Sequence, residues 1–118
     1  EAGRVGIVGY CWGGAMADLA ACRLDVDAAL SYYGRMIVDW LDEKPGCPVM
    51  YHFGEEDSLI PMETVNDIRH ARPEGVFFVY ENAGHGFNCD ERPDFDADAS
   101  ETALQRSLEF LNLHFNDK

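Results

Sequence analysis

Apolar residues fall along this chain in two rhythms. Short unbroken runs, Arg4–Gly9, Ala28–Tyr33, Val49–Phe53 and Val76–Tyr80, read as β-strands. Between them the spacing turns helical. Gly13–Arg23 predicts a helix with Ala15, Met16, Leu19, Ala20 and Cys22 on its inner side. Met36–Leu41 reads as one helical turn or a loop, and Lys44-Pro45-Gly46-Cys47-Pro48 is a linker of strong breakers. Pro61 suits the first turn of a helix that runs to about Ala71 and closes at Arg72-Pro73-Glu74-Gly75. The last helix has the clearest period: Leu104, Leu108, Leu111 and Phe115 recur at i, i+4, i+7 and i+11. Strands that alternate with helices, with no hairpin turn between them, predict an α/β fold. Its sheet would have about four parallel strands joined by right-handed crossovers.

Composition narrows the picture. A length of 118 residues fits one domain, residues 1–118, with no internal repeat. The formal net charge is −13, with a denser acidic patch from Asp90 to Glu101. Such a surface favours solubility and repels nucleic acid and anionic membranes, so neither is expected as a partner. No apolar run reaches membrane-spanning length, and the N-terminus lacks a secretory signal pattern. The cysteines, Cys11, Cys22, Cys47 and Cys89, form no C-x-x-C, and no histidine pair has zinc-ligand spacing. Reduced thiols and a cytoplasmic location are therefore expected, with no metal site. Asp94-x-Asp96-x-Asp98 is similar to the start of a calcium loop. It has Ala99 where the glycine belongs and Gln105 where the closing glutamate belongs, and it reads better as acidic support for the final helix.

Candidate chemistry sits just beyond strand ends, where open α/β sheets gather it. Val5-Gly6-Ile7-Val8 leads into Gly9-Tyr10-Cys11-Trp12-Gly13-Gly14, which reads as strand, sharp turn and helix with a cysteine at the apex. This is the G-x-S-x-G nucleophile elbow with Cys for Ser. Gly9 and Gly13 would let the backbone bend and the helix pack close. The helix N-terminus would favour a thiolate on Cys11. Asp57 follows the third strand and His85 the fourth. A thiol needs a base, and an imidazole needs an acceptor that fixes its tautomer. Glu55 and Glu56 compete with Asp57 for the acid role, and Asp57 also reads as a cap for the helix near Pro61. The N–H of Trp12, next after the nucleophile, is a natural oxyanion donor. A second donor would come from the loop after an earlier strand, upstream of Glu1. His52 and His70 read as structural, and Trp40 and Tyr32-Tyr33 as core or pocket wall.

The elbow, then Tyr33-Gly34, Gly54-Glu55-Glu56-Asp57-Ser58-Leu59-Ile60-Pro61, Ala83-Gly84-His85-Gly86-Phe87 and Arg92-Pro93 resemble the dienelactone hydrolase (carboxymethylenebutenolidase) family of α/β-hydrolases. The resemblance covers nearly the whole chain and implies the C-terminal half of that fold. It also implies hydrolysis of a small ester or lactone, in the family an enol-lactone from the breakdown of chlorinated aromatics. Carried over, Cys11 is the nucleophile, His85 the general base and Asp57 its orienter, with an acyl-enzyme released by water. No cofactor is implied. Where the family pattern places an arginine four residues after the histidine, this chain has Cys89, and Gly86 stands where the pattern has serine. Arg35 and Arg92 are the remaining candidates for a substrate carboxylate. A half-fold would leave the first strand's edge open and one sheet face covered only by the last helix, so a homo-oligomer is expected. The alternative is a catalytically weak or inactive half-hydrolase that serves as an oligomerising or binding module.

Overall fold

The computed structural model describes residues 4–81, 83–87 and 96–115. The elements run β1 (Gly6–Tyr10), α1 (Trp12–Arg23), β2 (Ala28–Tyr32), a 3₁₀ helix (Arg35–Trp40), β3 (Val49–Gly54), α2 (Met62–Ala71), β4 (Val76–Tyr80) and α3 (Ala97–Phe115). The strands pair in parallel in the order β1-β2-β3-β4. The α/β reading and its four-stranded parallel sheet hold, with boundaries shifted by a residue or two. The ambiguous segment after β2 is the 3₁₀ helix, which starts at Arg35.

β2 and β3 are buried along their whole length, whereas β1 and β4 are part-exposed. Alternation along the strands divides the core in two. Ala29, Tyr51 and Phe53 face the layer of α1 and α2, where Ala15, Ala21, Val65 and Ile68 complete the packing. Ala28, Leu30 and Met50 face α3 and meet Phe110.

Two helices present faces other than the expected ones. In α1 the buried residues are Gly14, Ala15, Ala17, Asp18, Ala20 and Ala21, while Met16, Leu19 and Cys22 are only part-buried. Small residues face the sheet because the helix axis runs close to it. Asp18 is buried yet fully engaged. It accepts hydrogen bonds from Trp40 Nε1 at 3.0 Å, from the Tyr51 hydroxyl and from Arg72, whose Nε and terminal nitrogen each sit 3.1 Å away. Arg72 also donates to the carbonyls of Glu43 and Trp40, so one buried ion pair ties α1, the 3₁₀ helix, β3 and the end of α2 together. Neither residue's role here was anticipated from the sequence.

In α3 the buried seam is Ala99, Ala103, Ser107 and Phe110, and Leu104 and Leu108 of the apolar stripe are each 54% exposed. The sheet face beneath α3 already carries the rings of Tyr32, His52, Phe78 and Tyr80, so small residues and Ser107 fit against it and the leucines are turned aside. The helix opens on Asp96, whose Oδ1 accepts from the N–H groups of Asp98 and Ala99 at 3.1 Å, while Asp94 of the same acidic run lies outside the described residues.

Candidate active site

Three of the proposed residues meet at the carboxyl ends of the strands. Cys11 is the N-cap of α1 and holds φ 57°, ψ −121°, a conformation rare for a residue with a side chain. Holding it there costs on the order of 1–3 kcal/mol, which the surroundings must over-determine. They do so through the backbone. The Cys11 N–H donates to the Tyr32 carbonyl at 3.0 Å, and the Cys11 carbonyl accepts from Gly14 and Ala15 at 2.9 and 3.2 Å. The Cys11 side chain is part-buried at the positive end of a twelve-residue helix, a place that favours thiolate over thiol.

The close approach at the elbow falls on Gly9 and Gly14, not on the expected pair Gly9 and Gly13. A Cβ at Gly9 would overlap the Gly13 carbonyl, and one at Gly14 would overlap the Tyr32 carbonyl. Gly13 itself has open space where a Cβ would stand. Gly9 thus lets α1 turn back close over the end of β1, and Gly14 lets α1 pack close on the neighbouring β2.

Asp57 and His85 are joined. His85 Nδ1 lies 2.7 Å from Asp57 Oδ2, with Asp57 3% and His85 8% exposed. The other Asp57 oxygen accepts from Leu59 N–H at 2.8 Å and Ile60 N–H at 3.1 Å, so the carboxylate is oriented from both sides. These bonds hold the loop before α2 rather than the helix itself, whose N-cap is Pro61 with no side-chain cap. Glu55 and Glu56 are exposed. With Nδ1 on the carboxylate, Nε2 is the nitrogen left for proton transfer. The Tyr33 ring packs 5.1 Å from the imidazole, centroid to centroid, at φ 40°.

Cys11 and His85 line one cavity of about 160 Å³ with Trp12, Tyr33, Arg35, Met36 and Leu59. Trp12 begins α1, so its N–H has no intrahelical partner, while its indole is 65% exposed. Arg35 is exposed at the cavity rim. Arg92 and Cys89 lie outside the described residues. Met36 and Leu59 add an apolar wall that no sequence motif marks as functional. A larger cavity of about 470 Å³ lies at the amino ends of β3 and β4, away from these groups.

The dienelactone hydrolase family matches residues 1–115. The chain belongs to that family. It is 36% identical over 114 residues to a carboxymethylenebutenolidase of Pseudomonas putida, an alignment covering 92% of this chain and 48% of the relative. The same figures hold for the carboxymethylenebutenolidase of Pseudomonas knackmussii. The crystal structure of a candidate dienelactone hydrolase from Klebsiella pneumoniae superposes with a TM-score of 0.86 at 28% identity, covering 100% of this chain and 54% of that one. The fold is also that of the Pyrococcus furiosus esterase Pf2001, with a TM-score of 0.75 at 14% identity over 95% of this chain and 55% of that one. The chain thus spans about half the length of the curated relatives it matches. Its fold is that of one half of an α/β-hydrolase.

Proposed function

We propose that the chain carries the nucleophile half of a thiol-dependent hydrolase acting on a carboxylic ester or lactone, and corresponds to the C-terminal half of the family fold. The observation that carries the reading is the His85–Asp57 hydrogen bond beside Cys11 at one cavity. In this reading His85 Nε2 takes the Cys11 proton as the sulfur attacks the ester carbonyl. Asp57 stabilises the resulting imidazolium. The Trp12 N–H stabilises the developing oxyanion. The imidazolium then protonates the leaving alkoxide or enolate, giving an acyl-enzyme. Water, deprotonated by His85, attacks the thioester, and the thiol is released. Arg35 at the rim is the candidate partner for a negatively charged substrate group, with Arg92 a second. A cytoplasmic setting is part of this proposal, and no described helix is long and apolar enough to cross a membrane.

Turnover of dienelactone and 4-nitrophenyl acetate by the full chain tests this reading. Cys11→Ala is expected to lower kcat by about 10³-fold or more; unchanged turnover in that variant would overturn the proposal. A second reading has its own observation. β1 is an open edge with Val8 50% exposed. A half-hydrolase that assembles through that edge without turnover would give no hydrolysis of either ester together with a stable oligomer.

A further inference from the structure

The sheet face under α3 holds a chain of buried polar groups that catalysis does not use directly. His52, fully buried on β3, places Nδ1 2.8 Å from the Tyr80 hydroxyl and Nε2 3.0 Å from Ser107 Oγ. Ser107 Oγ is also 3.0 Å from the Tyr32 hydroxyl. Burial pushes the His52 pKa down to about 3, so the ring is neutral and offers one donor and one acceptor. Both are occupied. Replacing either partner leaves a buried polar atom unsatisfied.

This chain ends beneath the candidate site. The Tyr80 ring packs 5.2 Å from Phe87, two residues beyond His85. The Tyr80 carbonyl accepts from Ala83 N–H at 3.3 Å, in the His85 loop, and from Glu55 N–H at 2.9 Å, in the Asp57 loop. The Ala83 carbonyl in turn accepts from Glu56 N–H at 2.9 Å. On the other side the His52 carbonyl accepts from the Tyr33 N–H at 2.7 Å, and the Tyr33 ring lies against both His85 and Phe87. The two supports that flank His85 are therefore both fastened to one residue.

We propose that the His52 side chain is a positioning group for His85, fixing the imidazole against Asp57 through Tyr80, while the Tyr33 support hangs on the His52 carbonyl that any residue there would supply. This rests on His85 being the general base. His52 touches no reacting atom. It removes the slack that would let the His85 loop and the Asp57 loop move apart. Misplacement of a catalytic group by about 1 Å can cost on the order of a hundredfold in rate, so a modest loosening here is measurable.

The test compares His52→Phe, which keeps a flat ring and loses both side-chain hydrogen bonds, with His52→Asn, whose amide can still meet Tyr80. Ile68→Ala, on the opposite face of the sheet, is the control for general destabilisation. Two readouts are taken on the full chain well below each variant's Tm. One is kcat and KM for 4-nitrophenyl acetate. The other is the NMR signal of the proton shared by His85 and Asp57, with the His85 ring titration. In His52→Phe, kcat is expected to fall on the order of ten- to a hundredfold with KM within roughly twofold. The shared-proton signal broadens or disappears. His52→Asn recovers part of both, and Ile68→Ala moves neither. A folded His52→Phe that keeps the signal and the kcat of Ile68→Ala overturns the proposal. Should His52→Phe not fold, Tyr80→Phe carries the same expectation for the signal, and an unchanged signal there overturns it equally. If Cys11→Ala leaves ester turnover unchanged, the hydrolase reading fails. The NMR signal still decides the role of His52.

Discussion

At the scale of single residues, the thiols of this chain differ in environment more than in chemistry. Cys22 is pushed up to about 11, chiefly by burial and next by the Asp18 carboxylate, and burial also raises Cys47. Cys11 instead caps a helix, where a thiolate is favoured. Iodoacetamide at pH 7 is therefore expected to label Cys11 faster than free cysteine. It should label Cys22 roughly a hundredfold more slowly than an exposed thiol of ordinary pKa. Peptide mapping after brief labelling checks the order, and equal labelling of Cys11 and Cys22 would contradict it. His52 supplies a second expectation. Its folded-state pKa of about 3 lies below its ordinary value of 6.5. Below pH 6.5 the unfolded chain binds a proton at this position that the folded chain refuses until about pH 3. Stability conferred by this residue is thus intact above pH 6.5 and lost as pH falls through that window, at about 1.4 kcal/mol per pH unit. Urea titrations at several pH values should give the wild type the steeper decline and His52→Asn a shallower one by that amount; parallel slopes would refute it.

At the scale of elements, the match between sequence and structure depends on what each pattern encodes. Val76-Phe77-Phe78-Val79-Tyr80 is wholly strand-forming and flanked by a turn, and β4 has those bounds. The elbow and the order of Cys11, Asp57 and His85 were also legible, because each follows a strand and sheet direction brings strand ends together. The inner faces of α1 and α3 were not. Hydrophobic periodicity reports which side is apolar, whereas burial against a crowded sheet selects small side chains: Ala17 and Ala21 over Leu19, and Ala103 and Ser107 over Leu104 and Leu108. Asp18 and Arg72 escaped notice because a charge inside an apolar pattern declares itself only when its partner, distant in sequence, is located. The elbow glycines make the element-scale prediction. Gly14→Ala forces a Cβ into the Tyr32 carbonyl and should prevent native packing of α1 on β2. Gly13→Ala, with open space at that point, should leave stability within about 1 kcal/mol of wild type on the stabilising side. Thermal unfolding of the two single variants separates them, and comparable losses would contradict the assignment.

At the scale of the whole molecule, an open parallel edge and a half-exposed leucine row coexist with a net charge of −13. Apolar contact favours association and like charge opposes it, so their balance moves with ionic strength. The expected oligomer should therefore strengthen as salt rises from tens to hundreds of millimolar. Light scattering at micromolar concentration reads this directly. A monomer across the whole salt range would rule out self-assembly through β1 or the leucine row of α3.

Strand order in the sheet repeats strand order in the chain. Each pairing consequently closes only one crossover between successive strands, as in Gly6 with Ala28, Ala29 with Val49 and Met50 with Val76. α3 is the exception, since it reaches back past β4 to pack on β2 and β3. Its arrival closes the longest loop and carries the largest entropic cost. Ser107, hydrogen-bonded to His52 and Tyr32, thus fastens the last helix to the middle of the sheet, and the polar platform beneath His85 draws one of its members from the far end of the chain.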